Sequence, residues 1–142
     1  MCTAQIILSP VEVSIILESF VLSLFERHIL YHLIFLLCKQ FHFQGVEAMS
    51  KRHYTLAIDL FTNAINLLSL DDRKSYGYIL FYLRANAYMH MEQYELALKD
   101  SETSISLNDK FSKAYCEKGD ALFALHRYES SVDAYNSAEL IF

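Results

Sequence analysis

Hydrophobic positions follow two different patterns along the chain. From about residue 38 onward, apolar and polar residues alternate with the spacing of amphipathic helices, and such segments come in pairs. Between residues 11 and 38, apolar residues occupy nearly every side of a helix, so no single buried stripe can be drawn. The pattern predicts an all-α protein with an apolar N-terminal helical segment at residues 1–37 and a helical domain at residues 38–142.

The start of the N-terminal helix is marked by the sequence Ser9-Pro10-Val11-Glu12. A serine followed three residues later by a glutamate forms a capping-box pattern, and proline suits the first helical position because its missing N–H costs nothing there. We therefore expect a helix to begin at Pro10. Because its apolar residues face all sides, we expect this helix to be buried on more than one side or to expose an apolar surface.

The apolar N-terminal segment has three open interpretations: a helix packed on the rest of the protein, a membrane-associated segment, or an N-terminus that belongs to no folded unit. Its longest runs without Lys, Arg, Asp or Glu, Met1–Val11 and His28–Cys38, have eleven residues each, whereas a spanning helix needs ~20. No Lys or Arg precedes the apolar run, as a secretory signal would require. A packed helix is therefore favoured, and a membrane is a disfavoured partner.

Three segments of the helical domain are similar to one another: "KRHYTLAIDLFTNAI", "MEQYELALKDSETSI" and "LHRYESSVDAYNSAE". They place Tyr54, Tyr94 and Tyr128 at equivalent points, at intervals of 40 and 34 residues. A period near 34 carried by paired helices is the signature of the tetratricopeptide repeat, and the chain resembles that family. The resemblance implies a right-handed superhelical array of antiparallel helix hairpins (a solenoid), with repeats at about residues 38–71, 78–111 and 112–142.

Large and small residues recur at the positions that the family uses for packing. Small residues let helix axes approach closely, while aromatic residues fill the space between helices and neighbouring repeats. We therefore interpret these aromatic residues as packing residues and not as ligand contacts. The first helices carry Phe41 and Gly45, Phe81 and Ala85, and Tyr115 and Gly119; the second helices carry Tyr54, Ala57, Phe61 and Ala64, then Tyr94, Ala97, Ser101 and Ser104, then Tyr128, Ser131, Tyr135 and Ala138.

Six extra residues separate the first two repeats, within "LLSLDDRKSYGY". Either the helix before them runs on or the next helix starts early, with Asp71 or Asp72 as its N-cap, and a longer helix is favoured over a long loop. The usual proline near the end of each repeat is absent, with Ser69 and Asp109 in its place. An extended first linker of this sort resembles the three-repeat domains of co-chaperones.

Co-chaperone domains of this family hold the acidic C-terminus of a chaperone with a clamp of Lys, Asn and Arg side chains, because a carboxylate needs cations and amide donors aimed at one point. The five clamp positions fall here on His42, Val46, Leu83, Lys113 and Glu117, so that only the lysine survives. Glu117 puts a negative charge where an arginine would meet the peptide's acid. We therefore predict that an acidic chaperone tail is not a partner.

The family's concave groove is lined by fixed positions of each first helix, and here they are mainly apolar with an acidic edge. Met and aromatic residues suit adaptable contact with a peptide that carries apolar anchors. The resemblance thus implies a non-catalytic adaptor or scaffold that binds a protein or peptide segment, unless the groove is filled by the chain's own residues. The residues are Lys39, His42, Val46, Met49, Ile79, Tyr82, Leu83, Asn86, Met89, Lys113, Cys116, Glu117, Asp120 and Phe123.

Composition narrows the function further. A net charge of −5 argues against a nucleic-acid surface, and 54% hydrophobic residues with three glycines and one proline fit packed helices and leave little material for a phosphate loop. Cys2, Cys38 and Cys116 have no metal-like spacing, which favours a reducing compartment such as the cytoplasm. His28 and His32 have helical spacing for a metal, but no third ligand is evident beside them. We expect no metal, no cofactor and no enzymatic activity.

Two alternatives to a self-contained adaptor stay open: a piece of a larger co-chaperone or ubiquitin-ligase scaffold, and a membrane-tethered adaptor that uses residues 11–38. The third repeat stops at "YNSAELIF", with no polar capping helix after it. Helical-repeat arrays generally need such a cap. We therefore expect either self-association through the face of Tyr135, Ala138 and Ile141, or a longer natural protein.

Overall fold

The computed structural model describes residues 9–141, and the regular elements of this range are helical. The chain divides between Ile34 and Phe35 into two units, which are described separately. In chain order the elements are α1 (Pro10–Ser50), α2 (Tyr54–Leu67), α3 (Leu70–Asp72), a π-helical turn (Arg73–Gly77), α4 (Tyr78–His90), α5 (Tyr94–Leu107), α6 (Ser112–Ala124) and α7 (Tyr128–Glu139).

The first unit consists of the N-terminal part of α1, which begins at Pro10 as predicted. The capping box is confirmed: the Ser9 backbone N–H donates to Glu12 Oε2 at 2.7 Å, and the Glu12 N–H donates to Ser9 Oγ at 3.3 Å. The side chains of residues 11–33 are exposed. Of the two expectations for this helix, burial on several sides or an exposed apolar surface, the structure shows the exposed surface. By length and composition α1 could cross a membrane, a property that core helices and signal sequences share.

The second unit contains three helix hairpins: the end of α1 with α2, α4 with α5, and α6 with α7. Each hairpin turns through one residue with left-handed backbone, namely Arg52 at φ 61°, Glu92 at φ 59° and His126 at φ 61°. The following N–H then bonds back into the first helix. These bonds run from His53 to the Ala48 carbonyl, Gln93 to Tyr88 and Arg127 to Leu122, at 2.8, 2.9 and 2.9 Å. The sequence repeat is therefore also a repeat of backbone conformation.

Close helix packing occurs at the small residues that the sequence singled out. A Cβ placed on Gly45 would lie 2.5 Å from the Phe61 ring, and one on Gly119 would lie 2.6 Å from the Tyr135 ring. Both distances are far below van der Waals contact, so only glycine fits while the rings stay in place. The alanines and serines at the other small positions are buried: Ala57, Ala64, Ala85, Ala97, Ser101, Ser104, Ser131 and Ala138.

The serines at small positions have hydrogen-bond partners that the sequence alone does not show. Ser104 Oγ donates to the Tyr78 carbonyl at 2.7 Å, and Ser131 Oγ donates to the Gly119 carbonyl at 2.8 Å. Each of these bonds joins the two helices of one hairpin. A buried hydroxyl is costly only when it lacks a partner, so the serines are compatible with close packing.

Two aromatic packing residues of the last hairpin are more exposed than the others. Phe61 is fully buried, and Tyr54 stacks on His90 of the next hairpin with ring centroids 4.5 Å apart. Tyr128 and Tyr135, in contrast, are 51% and 38% exposed. Both rings nevertheless contact their own hairpin: Tyr128 packs edge-on against Phe123 with centroids 5.3 Å apart, and the Tyr135 ring lies against Gly119. Their partial exposure therefore does not contradict the interpretation as packing residues.

Two clusters of buried residues form the core, and each combines residues of two neighbouring hairpins. The first joins Cys38, Ala48, Ala57, Phe61, Ala64, Ile65 and Leu68 with Leu80 and Ala87 of α4. The second joins Ala85, Ala97 and Leu98 with Ala121, Leu122 and Ala134.

The extra residues between the first two repeats form α3 and the π-helical turn, which precede α4. Of the two predicted arrangements, the next helix therefore starts early and α2 does not run on. Its N-cap is Ser69, not Asp71 or Asp72 as expected. The Asp72 N–H donates to Ser69 Oγ at 3.2 Å, and Ser69 Oγ donates to Asp72 Oδ2 at 2.6 Å. A serine hydroxyl reaches the free N–H three residues ahead, which places Asp72 in the first turn and not at the cap.

Arg84 forms an ion pair within the second hairpin and a hydrogen bond to the first. Arg84 Nε donates to Asp100 Oδ2 at 2.6 Å, and Arg84 Nη2 donates to Asp100 Oδ1 at 2.9 Å. Arg84 Nη1 also donates to Thr62 Oγ1 on α2 at 2.9 Å. The two-pronged geometry satisfies a buried carboxylate and fixes α4 against α5 and α2.

Candidate functional site

The predicted groove residues lie on three helices: the end of α1, α4 and α6. Most are half-buried, so they combine fixed positions with accessible surface. The half-buried residues are His42, Met49, Ile79, Tyr82, Leu83, Asn86, Met89 and Cys116; the exposed ones are Lys39, Val46, Lys113, Asp120 and Phe123; Glu117 is buried.

Side chains of α4 and α6 meet in the middle of this residue set. Asn86 Nδ2 on α4 donates to both carboxylate oxygens of Glu117 on α6, at 3.3 Å each. One turn away, Asp120 Oδ1 accepts from the Tyr135 hydroxyl at 2.5 Å. Tyr82 packs edge-on against Phe111, with ring centroids 5.2 Å apart. Two carboxyl groups and an aromatic ring thus lie along one strip between these helices.

The electrostatics of this strip are acidic. Burial raises the pKa of Glu117 to about 7; the hydrogen bonds from Asn86 oppose this shift, and the charge of Asp120 adds to it. Burial also raises the pKa of Tyr82, and the negative groups of Glu117, Cys116 and Asp120 raise it further. Glu117 therefore changes its charge close to neutral pH, which the sequence alone did not indicate.

The first-repeat part of the set is contacted by the chain's own linker. A hydrogen bond joins His42 Nδ1 to the hydroxyl of Tyr76, which belongs to the π-helical turn between the first two hairpins. The Tyr76 ring also packs edge-on against Phe35, with centroids 5.7 Å apart. Burial lowers the pKa of His42, so that its ring is neutral at pH 7. Sequence reasoning left open a groove filled by the chain's own residues, but it did not single out Tyr76.

The other candidate groups that the sequence singled out are two histidines and the cysteines. His28 Nε2 and His32 Nε2 lie 3.3 Å apart, but residues 9–141 hold no group of three metal-binding side chains. Cys38 is buried, its Sγ donates to the Ala64 carbonyl at 3.4 Å, and burial raises its pKa to about 11. A thiol in that environment is unreactive, in agreement with the interpretation of Cys38 as a small packing residue. Cys2 lies outside the described residues.

Residues 78–111, which cover α4 and α5, match the sequence model of the tetratricopeptide repeat. The small glutamine-rich tetratricopeptide repeat-containing protein 2 of Saccharomyces cerevisiae is 33% identical over 92 residues, 65% of this chain and 25% of the relative. The match therefore spans about a quarter of the relative's length.

Solved structures agree with this match. The Sgt2 tetratricopeptide-repeat domain from Aspergillus fumigatus superposes with a TM-score of 0.66 at 29% identity, covering 73% of this chain and 65% of that chain. The first such domain of Spaghetti (RPAP3), solved with the HSP90 peptide SRMEEVD, gives a TM-score of 0.67 at 25% identity, covering 75% of this chain and 79% of that chain.

The fold and the matches together define the class: the chain carries a tetratricopeptide-repeat domain, similar to those of co-chaperones. The predicted all-α array of helix hairpins is thereby confirmed. Domains of this class are protein-interaction modules, whose stacked hairpins create extended binding surfaces.

Proposed function

We propose that the chain is a non-catalytic adaptor or scaffold whose tetratricopeptide-repeat domain binds a segment of a partner protein. The binding surface, called the groove below, consists of the predicted groove residues on α1, α4 and α6. The observation that carries the proposal is the half-buried apolar row on α4, made of Ile79, Tyr82, Leu83 and Met89, beside the Asn86–Glu117 pair. Partly exposed aromatic and Met side chains around a few polar groups suit peptide recognition.

The partner segment is proposed to be extended or helical, with apolar side chains as its anchors. The related RPAP3 domain was solved with an acidic HSP90 peptide. This chain has apolar residues at Val46 and Leu83 and a carboxylate at Glu117, which are poor groups for holding a negatively charged peptide end. An acidic chaperone tail is therefore not the proposed partner. A cytoplasmic location is part of this proposal.

Two variants of the proposal are favoured by specific observations. The chain covers a quarter of its yeast relative, which supports an adaptor that is one part of a larger protein such as a co-chaperone. The exposed apolar side chains of residues 11–33, on a helix long enough to cross a bilayer, support a membrane-tethered adaptor. Both keep the groove as the binding surface.

The proposal is tested by substitutions in the groove with a matched control outside it. Tyr82→Ala and Leu83→Asp are expected to reduce capture of partner proteins by at least tenfold, because they remove anchor contacts. Leu96→Asp places the same charge on an exposed position of α5 and is expected to leave capture unchanged. Helical content and melting temperature are measured for each variant. If Leu96→Asp abolishes capture as well, or the groove variants capture normally, the proposed surface is wrong.

A further inference from the structure

We infer that the groove accepts a basic side chain, a lysine or arginine of the bound segment, between α4 and α6 beside Glu117. The inference rests on the proposed function, because it names the chemistry of the segment that the groove binds. If the inference is correct, the groove binds segments that carry a Lys or Arg in preference to segments that do not.

The geometry of Glu117 leaves its carboxylate incompletely satisfied. The residue is only 6% exposed, yet both oxygens share the single Asn86 amide nitrogen, at 3.3 Å each. Hydrogen bonds to an ionised carboxylate are typically 2.7–2.9 Å, and such a group offers about four acceptor sites. A cationic donor in the groove would supply the short, charge-assisted bonds that Asn86 does not.

No cation of the described chain pairs with Glu117. Lys113 lies one turn earlier on α6 but forms no ion pair with it within residues 9–141. Two other basic side chains of α4 and α6 have partners of their own: Arg84 bonds to Asp100 at 2.6 Å, and Lys118 to Glu102 at 3.0 Å. The strip thus lacks the positive charge that a buried carboxylate needs.

The groups around Glu117 complement a long basic side chain. Asp120 lies one turn further along α6 and adds a second carboxylate. Tyr82 on α4, whose ring is half-buried, offers aromatic surface on which the aliphatic stem of a lysine or the plane of an arginine can rest. Burial raises the pKa of Tyr82 most, and the charges of Glu117 and Asp120 raise it further, as expected for a tyrosine near these carboxylates. Charge complementarity of this kind mainly determines which partner is selected.

A random heptapeptide library displayed on phage tests the inference with the full 142-residue chain as bait. We expect peptides to be enriched, with Lys or Arg at one position at least three times more often than in the input library. With Glu117→Gln as bait, this preference for Lys or Arg is expected to disappear. Glu102→Gln, the same substitution at an exposed carboxylate of α5, is expected to retain it. Circular dichroism confirms that each bait is folded.

A synthetic peptide from the enriched set provides the quantitative test. We expect the wild-type chain to bind it at least tenfold more tightly than a version whose basic residue is replaced by norleucine, and Glu117→Gln to bind both within threefold. Enrichment of neutral or acidic peptides overturns this inference and leaves the proposed function standing. A folded bait that enriches no peptide overturns both. Loss of the preference in Glu102→Gln also overturns the inference, because the selection would then follow overall charge.

Discussion

Gly45 on α1 lies directly against the ring of Phe61 on α2, so close that a Cβ on the glycine would be 2.5 Å from Phe61 Cε1. Gly119 on α6 has the same relationship to Tyr135 on α7, with a distance of 2.6 Å. The two rings differ in their freedom to move, because Phe61 is fully buried and Tyr135 is partly exposed. The same glycine position therefore tolerates a side chain differently in the two hairpins.

Gly45→Ala is expected to destabilise the domain by about 2 kcal/mol or more, because the buried Phe61 ring has no space into which to move. For Gly119→Ala we expect the loss in the free energy of unfolding to be about 1 kcal/mol smaller than for Gly45→Ala. The reason is that the Tyr135 ring can rotate toward solvent and lose only its hydrogen bond to Asp120. Urea unfolding of the two variants gives the comparison. A larger loss for Gly119→Ala would contradict this account of the packing.

The left-handed residues of the hairpin turns offer a stabilising substitution. Glu92 has φ 59°, a conformation that costs a non-glycine residue about 1–2 kcal/mol, so Glu92→Gly is expected to stabilise the domain by up to about 1 kcal/mol after the entropic cost of glycine. The neighbouring Met91 has φ −91°, and Met91→Gly should lower the free energy of unfolding instead. Denaturant midpoints of the two variants relative to wild type measure both effects. A destabilised Glu92→Gly would show that its backbone is not strained.

The stability of the domain should depend on the charge of Glu117. Because burial raises its pKa to about 7 from 4.5, the folded chain holds this proton more tightly than the unfolded chain. The corresponding stability is fully present below about pH 4.5 and is lost as the pH rises through 7, a change of at most about 3 kcal/mol. Glu117→Gln should therefore be more stable relative to wild type at pH 8 than at pH 5.

The control for this pH dependence is Glu102→Gln, which removes an exposed carboxylate. Its stability relative to wild type is expected to change little between pH 5 and pH 8. The free energy of unfolding of the wild type, Glu117→Gln and Glu102→Gln is measured with a denaturant at both pH values. Because all other titrating groups are common to the wild type and Glu117→Gln, the difference between these two proteins reports on Glu117. Equal differences for Glu117→Gln at the two pH values would mean that the carboxyl titrates at its ordinary pKa.

Acidic peptides are expected to bind poorly. Titration calorimetry with SRMEEVD, the peptide seen with the related RPAP3 domain, should give no affinity in the low-micromolar range. The physical reason is that a second carboxylate beside Glu117 would be desolvated without a sufficient partner, and Lys113 alone cannot compensate. Low-micromolar binding that is lost in Lys113→Ala would show instead that Lys113 alone is sufficient to hold the acidic peptide.

Much of the fold can be predicted from the sequence because the repeated constraints are local. Gly45, Ala57 and Ala64 are small where helices approach, and the same spacing returns twice, so the phase of all three hairpins can be read from the residues. The start of α1 can be predicted for the same reason, since the capping box of Ser9 and Glu12 joins residues three positions apart.

Contacts between residues far apart in sequence could not be predicted in the same way. Tyr76 meets His42 only because a π-helical turn shifts the register of the linker, which no hydrophobic pattern encodes. Arg84 and Asp100 look like solvated charges in sequence, although the structure buries the carboxylate between helices. The identity of the groove residues depends on the alignment with the family and stays a prediction.

The two core clusters each span neighbouring hairpins, so the number of these shared units of core differs from the number of repeats. Three hairpins supply two such units, and the middle hairpin, α4 with α5, is a member of both. Loss of a terminal hairpin would leave one core intact, whereas loss of the middle hairpin would leave none. A shortened array is therefore expected to tolerate the loss of an end hairpin better than the loss of the middle one.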